Sequence, residues 1–154
     1  MNINRKKNNN PKKIPQAISQ IVNIIILYST KFLQNKMRLV EFLNESSFDN
    51  RKDITTKIRA SYSDRIPIGV FSSDDKDPNI RKHKYIVPES ITVGKFIYEL
   101  RQNMQINSSM GLYFFTENGI LLTPGELIIT TYRKYKNDDG FLYIIYSLEN
   151  TFGN

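Results

Sequence analysis

The chain has 154 residues, enough for one core, with a single histidine and no cysteine. That excludes disulfides, thiolate metal sites, a cysteine nucleophile, multi-histidine metal sites and a two-histidine acid–base pair. The net charge of +7 is confined to residues 1–36, where Arg5, Lys6, Lys7, Lys12, Lys13, Lys31 and Lys36 stand with no acid, while the other 15 cations meet 15 acids; a nucleic-acid-binding fold needs its basic stripe on the folded body, so no nucleic-acid partner is expected.

Residues 1–36 read as a basic, Asn- and Ile-rich leader outside the functional domain. The apolar part, Ile14 to Tyr28, is broken by Gln16, Ser19, Gln20 and Asn23, and is too short for a membrane span of roughly 20 apolar residues. Two other readings stand beside a dispensable leader. One is a basic amphipathic helix on a membrane surface. The other is a targeting signal, although Ser29-Thr-Lys-Phe is a poor cleavage site. Met37 is an alternative start, because a complete domain follows it.

Arg38 to Glu45 fits a short helix, with Ser46-Ser47 as a break and possible N-cap. From Phe48 a second helix is expected, with Ile54, Ile58 and Tyr62 as its apolar stripe and Arg51, Lys52, Lys57 and Arg59 off it. Arg65 to Phe71 reads as a strand in which Pro67 favours an edge or end position. A polar loop follows, then the basic cluster Arg81–Lys84, in which His83 is most simply an exposed member. Tyr85-Ile-Val87 is a short strand closed by Pro88.

After Thr92, the spacing of Val93, Phe96, Ile97, Leu100 and Met104 predicts a second amphipathic helix of the body. Leu112–Phe115 reads as a buried strand, and Asn118-Gly119 as a turn with φ > 0. Ile120-Leu-Leu122 returns from it. Thr123-Pro-Gly-Glu126 has the pattern of a capping box, predicting a short helix onward through Leu127, Ile128 and Tyr132 to about Lys136. Asn137-Asp-Asp-Gly140 turns into Phe141–Ser147, whose aromatic and β-branched run reads as a strand buried on both faces. Beyond it a short, free tail reaches Gly153. The order is helix, helix, strand, strand, helix, strand, short helix, strand. An α+β fold follows: a mixed sheet with one crossover helix in a β-grasp arrangement, plus two N-terminal helices.

Arg65-Ile-Pro, Lys84-Tyr-Ile-Val-Pro88, Ile91-Thr-Val-Gly-Lys-Phe96 and Asp139-Gly-Phe-Leu-Tyr, with Tyr146-Ser-Leu-Glu-Asn-Thr-Phe-Gly153, resemble the autophagy ubiquitin-like modifiers. That is the family of GABA-A-receptor-associated protein and microtubule-associated light chain three. The resemblance covers residues 37–154 in order, with one short loop difference near residues 72–79. Residues 1–36 have no counterpart. It implies a ubiquitin-like β-grasp with a four-stranded mixed sheet, the domain being residues 37–153.

In that family a cysteine protease trims the chain after a glycine. Activating and conjugating enzymes then carry the glycine carboxyl, which ends as an amide of phosphatidylethanolamine. By resemblance Gly153 is the conjugated residue, and cleavage between Gly153 and Asn154 removes one residue. Glycine suits a tail that threads narrow clefts, because it has no Cβ. One diacyl lipid brings two chains, enough for stable anchoring. The implied locations are the cytoplasm, the autophagosome membrane and the vacuole or lysosome.

The resemblance also implies binding of aromatic-x-x-aliphatic peptides from cargo receptors and adaptors, added as a strand beside Lys84–Val87. The larger pocket would involve Ile58, Pro67, Lys84, Ile86 and Phe141. The smaller would involve Tyr85, Val87, Pro88, Ile91 and Phe96. Arg65, Lys82 and Lys84 would meet acids flanking the motif. Two positions depart from the family: Glu99 stands where an aliphatic residue usually lines the smaller pocket, and Leu122-Thr-Pro124 replaces Pro-Pro-Thr. The alternative function is an unconjugated adaptor acting through the groove alone. No catalytic residue, cofactor or metal is expected. There is no glycine-rich phosphate loop and no paired-carboxylate motif, and the chain is substrate rather than catalyst in its own conjugation.

Overall fold

The computed structural model describes residues 15–23, 26, 37–74, 80 and 82–150. The chain divides into two units, Met1–Thr30 and Lys31–Asn154. In the first, helix α1 covers residues 16–23, and each of residues 15–23 is exposed.

The second unit has the expected element order: helices α2 (Met37–Glu45) and α3 (Phe48–Ser61), strands β1 (Arg65–Ser72) and β2 (Lys84–Pro88), helix α4 (Val93–Asn103), strand β3 (Met110–Thr116), helix α5 (Ile128–Tyr135) and strand β4 (Leu142–Asn150). The sheet order is β2-β1-β4-β3. β1 and β4 pair in parallel; β1–β2 and β3–β4 are antiparallel. Helix α4 lies in the connection from β2 to β3, which completes the β-grasp.

Strict alternation on the inner strands builds two cores. Ile66, Ile68 and Val70 of β1 and Leu142, Ile144 and Tyr146 of β4 pack with Phe96 and Leu100 of α4 and Ile128 and Tyr132 of α5. On the other face Phe71, Tyr143 and Ile145 pack with Phe141, Leu39 of α2 and the half-buried Phe42, Leu43 and Ile54. The last strand is thus buried on both faces, as its composition implies, because helices cover both sides of the sheet.

Helix α3 starts as its cap residue dictates: Ser47 Oγ accepts from the backbone N–H of Asn50. Its buried face is not the Ile54–Ile58–Tyr62 stripe. Arg51 and Thr55 are its buried residues, Ile54 and Ile58 are half-buried, and Tyr62 is exposed. Pro67 lies in an interior strand, yet at a position it tolerates. It pairs with Ile86 of β2, while the parallel ladder with β4 begins only at Ile68. The missing N–H therefore costs no ladder bond on the β4 side.

Three other expectations are corrected. The strand over Leu112–Phe115 is an outer strand, with only Phe114 of these four buried and Tyr113 exposed. The Thr123–Glu126 pattern is a turn, and α5 begins later, at Ile128, with no side-chain cap bond. Its carbonyls serve α4 instead: Pro124 O accepts from the Gly94 N–H at 2.8 Å and Glu126 O from the Val93 N–H at 2.9 Å. Those donors belong to the first turn of α4, which has no intrahelical acceptors for them. Glu126 is still engaged, accepting from Thr131 Oγ1 and Lys134 Nζ, which holds its carboxyl below the usual range. Finally, β4 runs past Ser147. Leu148, Glu149 and Asn150 continue the ladder opposite Leu112, Gly111 and Met110.

Candidate functional site

β2 is an outer strand, bonded to β1 through Arg65↔Pro88 to Gly69↔Lys84. Among the described residues no strand pairs with its other edge, so a row of backbone donors and acceptors is open there. Alternation along β2 sorts the expected peptide-binding residues onto two sides. Ile86 is opposite Pro67 and turns with Lys84 toward the α2/α3 side, where Lys84 Nζ sits 5.2 Å from the Phe42 ring centroid. Tyr85 and Val87 turn toward α4, where Tyr85 meets Phe96 edge-on at 6.0 Å.

On the first side Ile86 is exposed at 46 %, Ile58 is half-buried, and Pro67 and Phe141 are buried. On the second, Val87 and Phe96 are buried and Tyr85, Pro88 and Ile91 half-buried. The buried members can line the floors of pockets; Ile86 and the part-exposed rings offer the contact area. Burial raises the Tyr85 phenol above its ordinary 10.0.

The basic residues stand beside this edge. Lys82 Nζ lies 5.5 Å from the Tyr85 ring centroid, and Lys84 is exposed. Arg65 Nε lies 3.9 Å from Asp64 Oδ2, while the Arg65 carbonyl accepts from Arg59 Nη1. Glu99 faces solvent on α4, 3.4 Å from Lys95 Nζ.

His83 departs from the expected exposed position. It is half-buried; its ring stacks on Phe71 at 5.1 Å with planes 4° apart, and Nδ1 lies 3.0 Å from Val70 O. This stack forms one wall of a cavity of about 440 Å³, lined also by Phe42 and by Arg38, Glu41 and Glu45 of α2. Nothing in the chain order pairs residue 71 with residue 83. The signal lies in the strand register, which brings His83 O onto the Val70 N–H at 2.8 Å.

Gly153 and Asn154 lie outside the described residues. The last described strand before them is β4, held by β1 up to Tyr146 on one side and by β3 up to Asn150 on the other. The turn before β4 is fixed by Asp139, fully buried. Its Oδ2 accepts from Arg51 Nε at 2.7 Å and Tyr143 OH at 2.6 Å, and its Oδ1 from the Phe141 N–H at 3.0 Å. Arg51 also donates to the carbonyls of Leu43 and Ser46, tying the α2–α3 junction to the same point. Burial first, and the Asp139 bond second, push the Tyr143 phenol well above its ordinary value.

The chain matches the family described as "Autophagy protein Atg8 ubiquitin like" over residues 50–153. The chain belongs to the Atg8 family. Autophagy-related protein 8 of Dictyostelium discoideum is 46 % identical over 115 residues, spanning 73 % of this chain and 93 % of that protein. Autophagy-related protein 8e of Arabidopsis thaliana is 42 % identical over 113 residues, again covering 73 % of this chain. The crystal structure of Trypanosoma brucei ATG8 superposes with a TM-score of 0.64 at 32 % identity, covering 73 % of this chain and 97 % of that one. Plasmodium falciparum Atg8, solved in complex with a Plasmodium falciparum Atg3 peptide, gives 0.60 at 36 % identity, covering 68 % and 92 %. This Atg8-family chain is therefore an autophagy-related ubiquitin-like protein, and the match takes in the whole sheet, the β2 edge and Gly153.

Proposed function

We propose that this Atg8-family chain is conjugated through Gly153 to phosphatidylethanolamine and acts in autophagosome formation. A cysteine protease cuts after Gly153; activating and conjugating enzymes then carry its carboxyl to the lipid amine. The observation that carries the reading is the family match running through to Gly153, three residues past Asn150, the last residue of β4. A glycine there admits close backbone approach by each enzyme in turn. No group of the chain is catalytic in this scheme.

The second part of the reading is capture of cargo receptors and adaptors at β2. A strand added to an open edge gains main-chain hydrogen bonds. In an extended peptide, residues i and i+3 point to opposite faces. An aromatic-x-x-aliphatic motif would thus send one anchor to Ile58, Pro67, Lys84, Ile86 and Phe141 and the other to Tyr85, Val87, Pro88, Ile91 and Phe96. Arg65, Lys82 and Lys84 would receive flanking acids. The lipidated form would sit on the autophagosome membrane and reach the vacuole or lysosome, with the free form in the cytoplasm. Expression of the chain with Gly153→Ala tests this: the faster-migrating lipidated form and the puncta should both be lost. If both persist, Gly153 is not the attachment point. An unconjugated adaptor is the remaining alternative; it requires peptide binding with no lipidated form at all.

A further inference from the structure

We propose that helix α1 is a membrane-contacting element whose apolar face lies on an anionic lipid surface. Ile18, Ile21 and Val22 fall at i, i+3 and i+4, one helical stripe, while Gln16, Gln20 and Asn23 lie on the opposite side. The three apolar side chains are 50, 57 and 44 % exposed. Left in water this stripe stays hydrated, and a medium that takes up its apolar face stabilises the helix.

Charge decides which medium. Residues 1–36 hold seven cations and no acid, and Arg5, Lys6, Lys7, Lys12 and Lys13 all precede the helix. The polar face itself is uncharged, so this flank supplies the attraction to anionic headgroups while the isoleucines enter the acyl boundary. Among the described residues no helix is long and apolar enough to cross a membrane. The element lies outside the matched region: the family match begins at residue 50, and the relatives described cover 73 % of the chain. It gives the chain a reversible membrane contact that needs no conjugation.

The test uses the full chain carrying Gly153→Ala, so that lipid conjugation plays no part and its failure is a separate matter. Flotation is measured with vesicles of phosphatidylcholine alone and of phosphatidylcholine containing phosphatidylserine. The chain should float with the anionic vesicles, be released by raised salt, and stay in solution with the neutral ones. Ile18→Glu with Ile21→Glu should lower the bound fraction roughly tenfold or more. Helical circular dichroism should rise on vesicle addition only in the unsubstituted leader. Thermal unfolding of the domain should be the same in both. Equal flotation of the substituted chain, or no flotation of either, overturns the proposal. So does a concentration-dependent dimer that the substitutions abolish, because a second copy would then be what covers the face.

Discussion

Arg51 Nε lies 2.7 Å from Asp139 Oδ2, joining residues 88 positions apart in the sequence, and both side chains are buried. The pair locks the start of α3 to the turn that aims β4. Removing one partner leaves a buried charge uncompensated, at a cost of about 3–5 kcal/mol. Asp139→Ala should therefore lower the urea midpoint strongly. Asp53→Ala, which breaks the exposed Asp53–Lys57 pair, should shift stability by no more than about 0.5 kcal/mol. Similar effects from the two substitutions would contradict the role given to the buried pair.

Gly140 is held at φ +90°, and an added Cβ would lie 2.5 Å from Thr55 Oγ1 and 2.9 Å from Thr55 Cβ. Gly140→Ala combines backbone strain with a clash against a buried residue and should cost about 1–3 kcal/mol or more. At Gly125 a Cβ meets open space and φ is not positive. Gly125→Ala should then be neutral or stabilising by up to about 1 kcal/mol, through the unfolded chain. Differential scanning calorimetry on the two variants checks the contrast.

Tyr143 is held protonated in the fold, chiefly by burial, with its bond to Asp139 adding to the effect. Below pH 10.0, the ordinary phenol value, both folded and unfolded chains keep the proton and pH has no effect through this group. Above it the unfolded chain releases the proton and the folded one does not. Stability must then fall as pH rises. Tyr85 and Tyr132 act in the same sense. Tyr143→Phe should flatten the alkaline slope of denaturation free energy against pH, whatever it does to the plateau. An unchanged slope would show that Tyr143 does not carry it.

The β2 edge separates binding from folding at one residue. Ile86 is exposed, so Ile86→Ala should leave the melting temperature nearly unchanged. It should nonetheless weaken an aromatic-x-x-aliphatic peptide by about 1–2 kcal/mol in calorimetric titration. Phe96→Ala cannot serve this purpose: Phe96 is 2 % exposed in the main core, and its truncation should cost about 3–5 kcal/mol of fold stability. Undiminished peptide affinity in the Ile86 variant would place the aromatic anchor elsewhere.

Most elements were legible in the order of residues. Ser47 caps α3 as its chemistry suggests, and Gly119 takes the positive φ expected of its turn, whereas the cap at Thr92 and the positive φ of Gly140 appear only in the fold. Arg51 was not legible, because a charged residue on a helix reads as solvent-facing until its distant partner is known. Thr123-Pro-Gly-Glu126 misled for another reason. Its local pattern fits a helix start, but tertiary contact turns its carbonyls to the N–H groups of Val93 and Gly94. The last three residues of β4 have no apolar period, and only the register against β3 makes them strand. The proposed peptide-binding residues could be named only from the family resemblance. That His83 would lie flat on Phe71 could not be read at all, since this depends on how β1 and the segment before β2 meet.

The central claim is a covalent one, and mass reads it directly. Purified chain ending at Gly153 should be incubated with the cognate activating and conjugating enzymes, ATP and liposomes containing phosphatidylethanolamine, then measured intact and after digestion. The account predicts a mass increase of one phosphatidylethanolamine less water, carried by the peptide ending in Gly153 and absent with Gly153→Ala. An unshifted mass with active enzymes, or the lipid found on another residue, would contradict it.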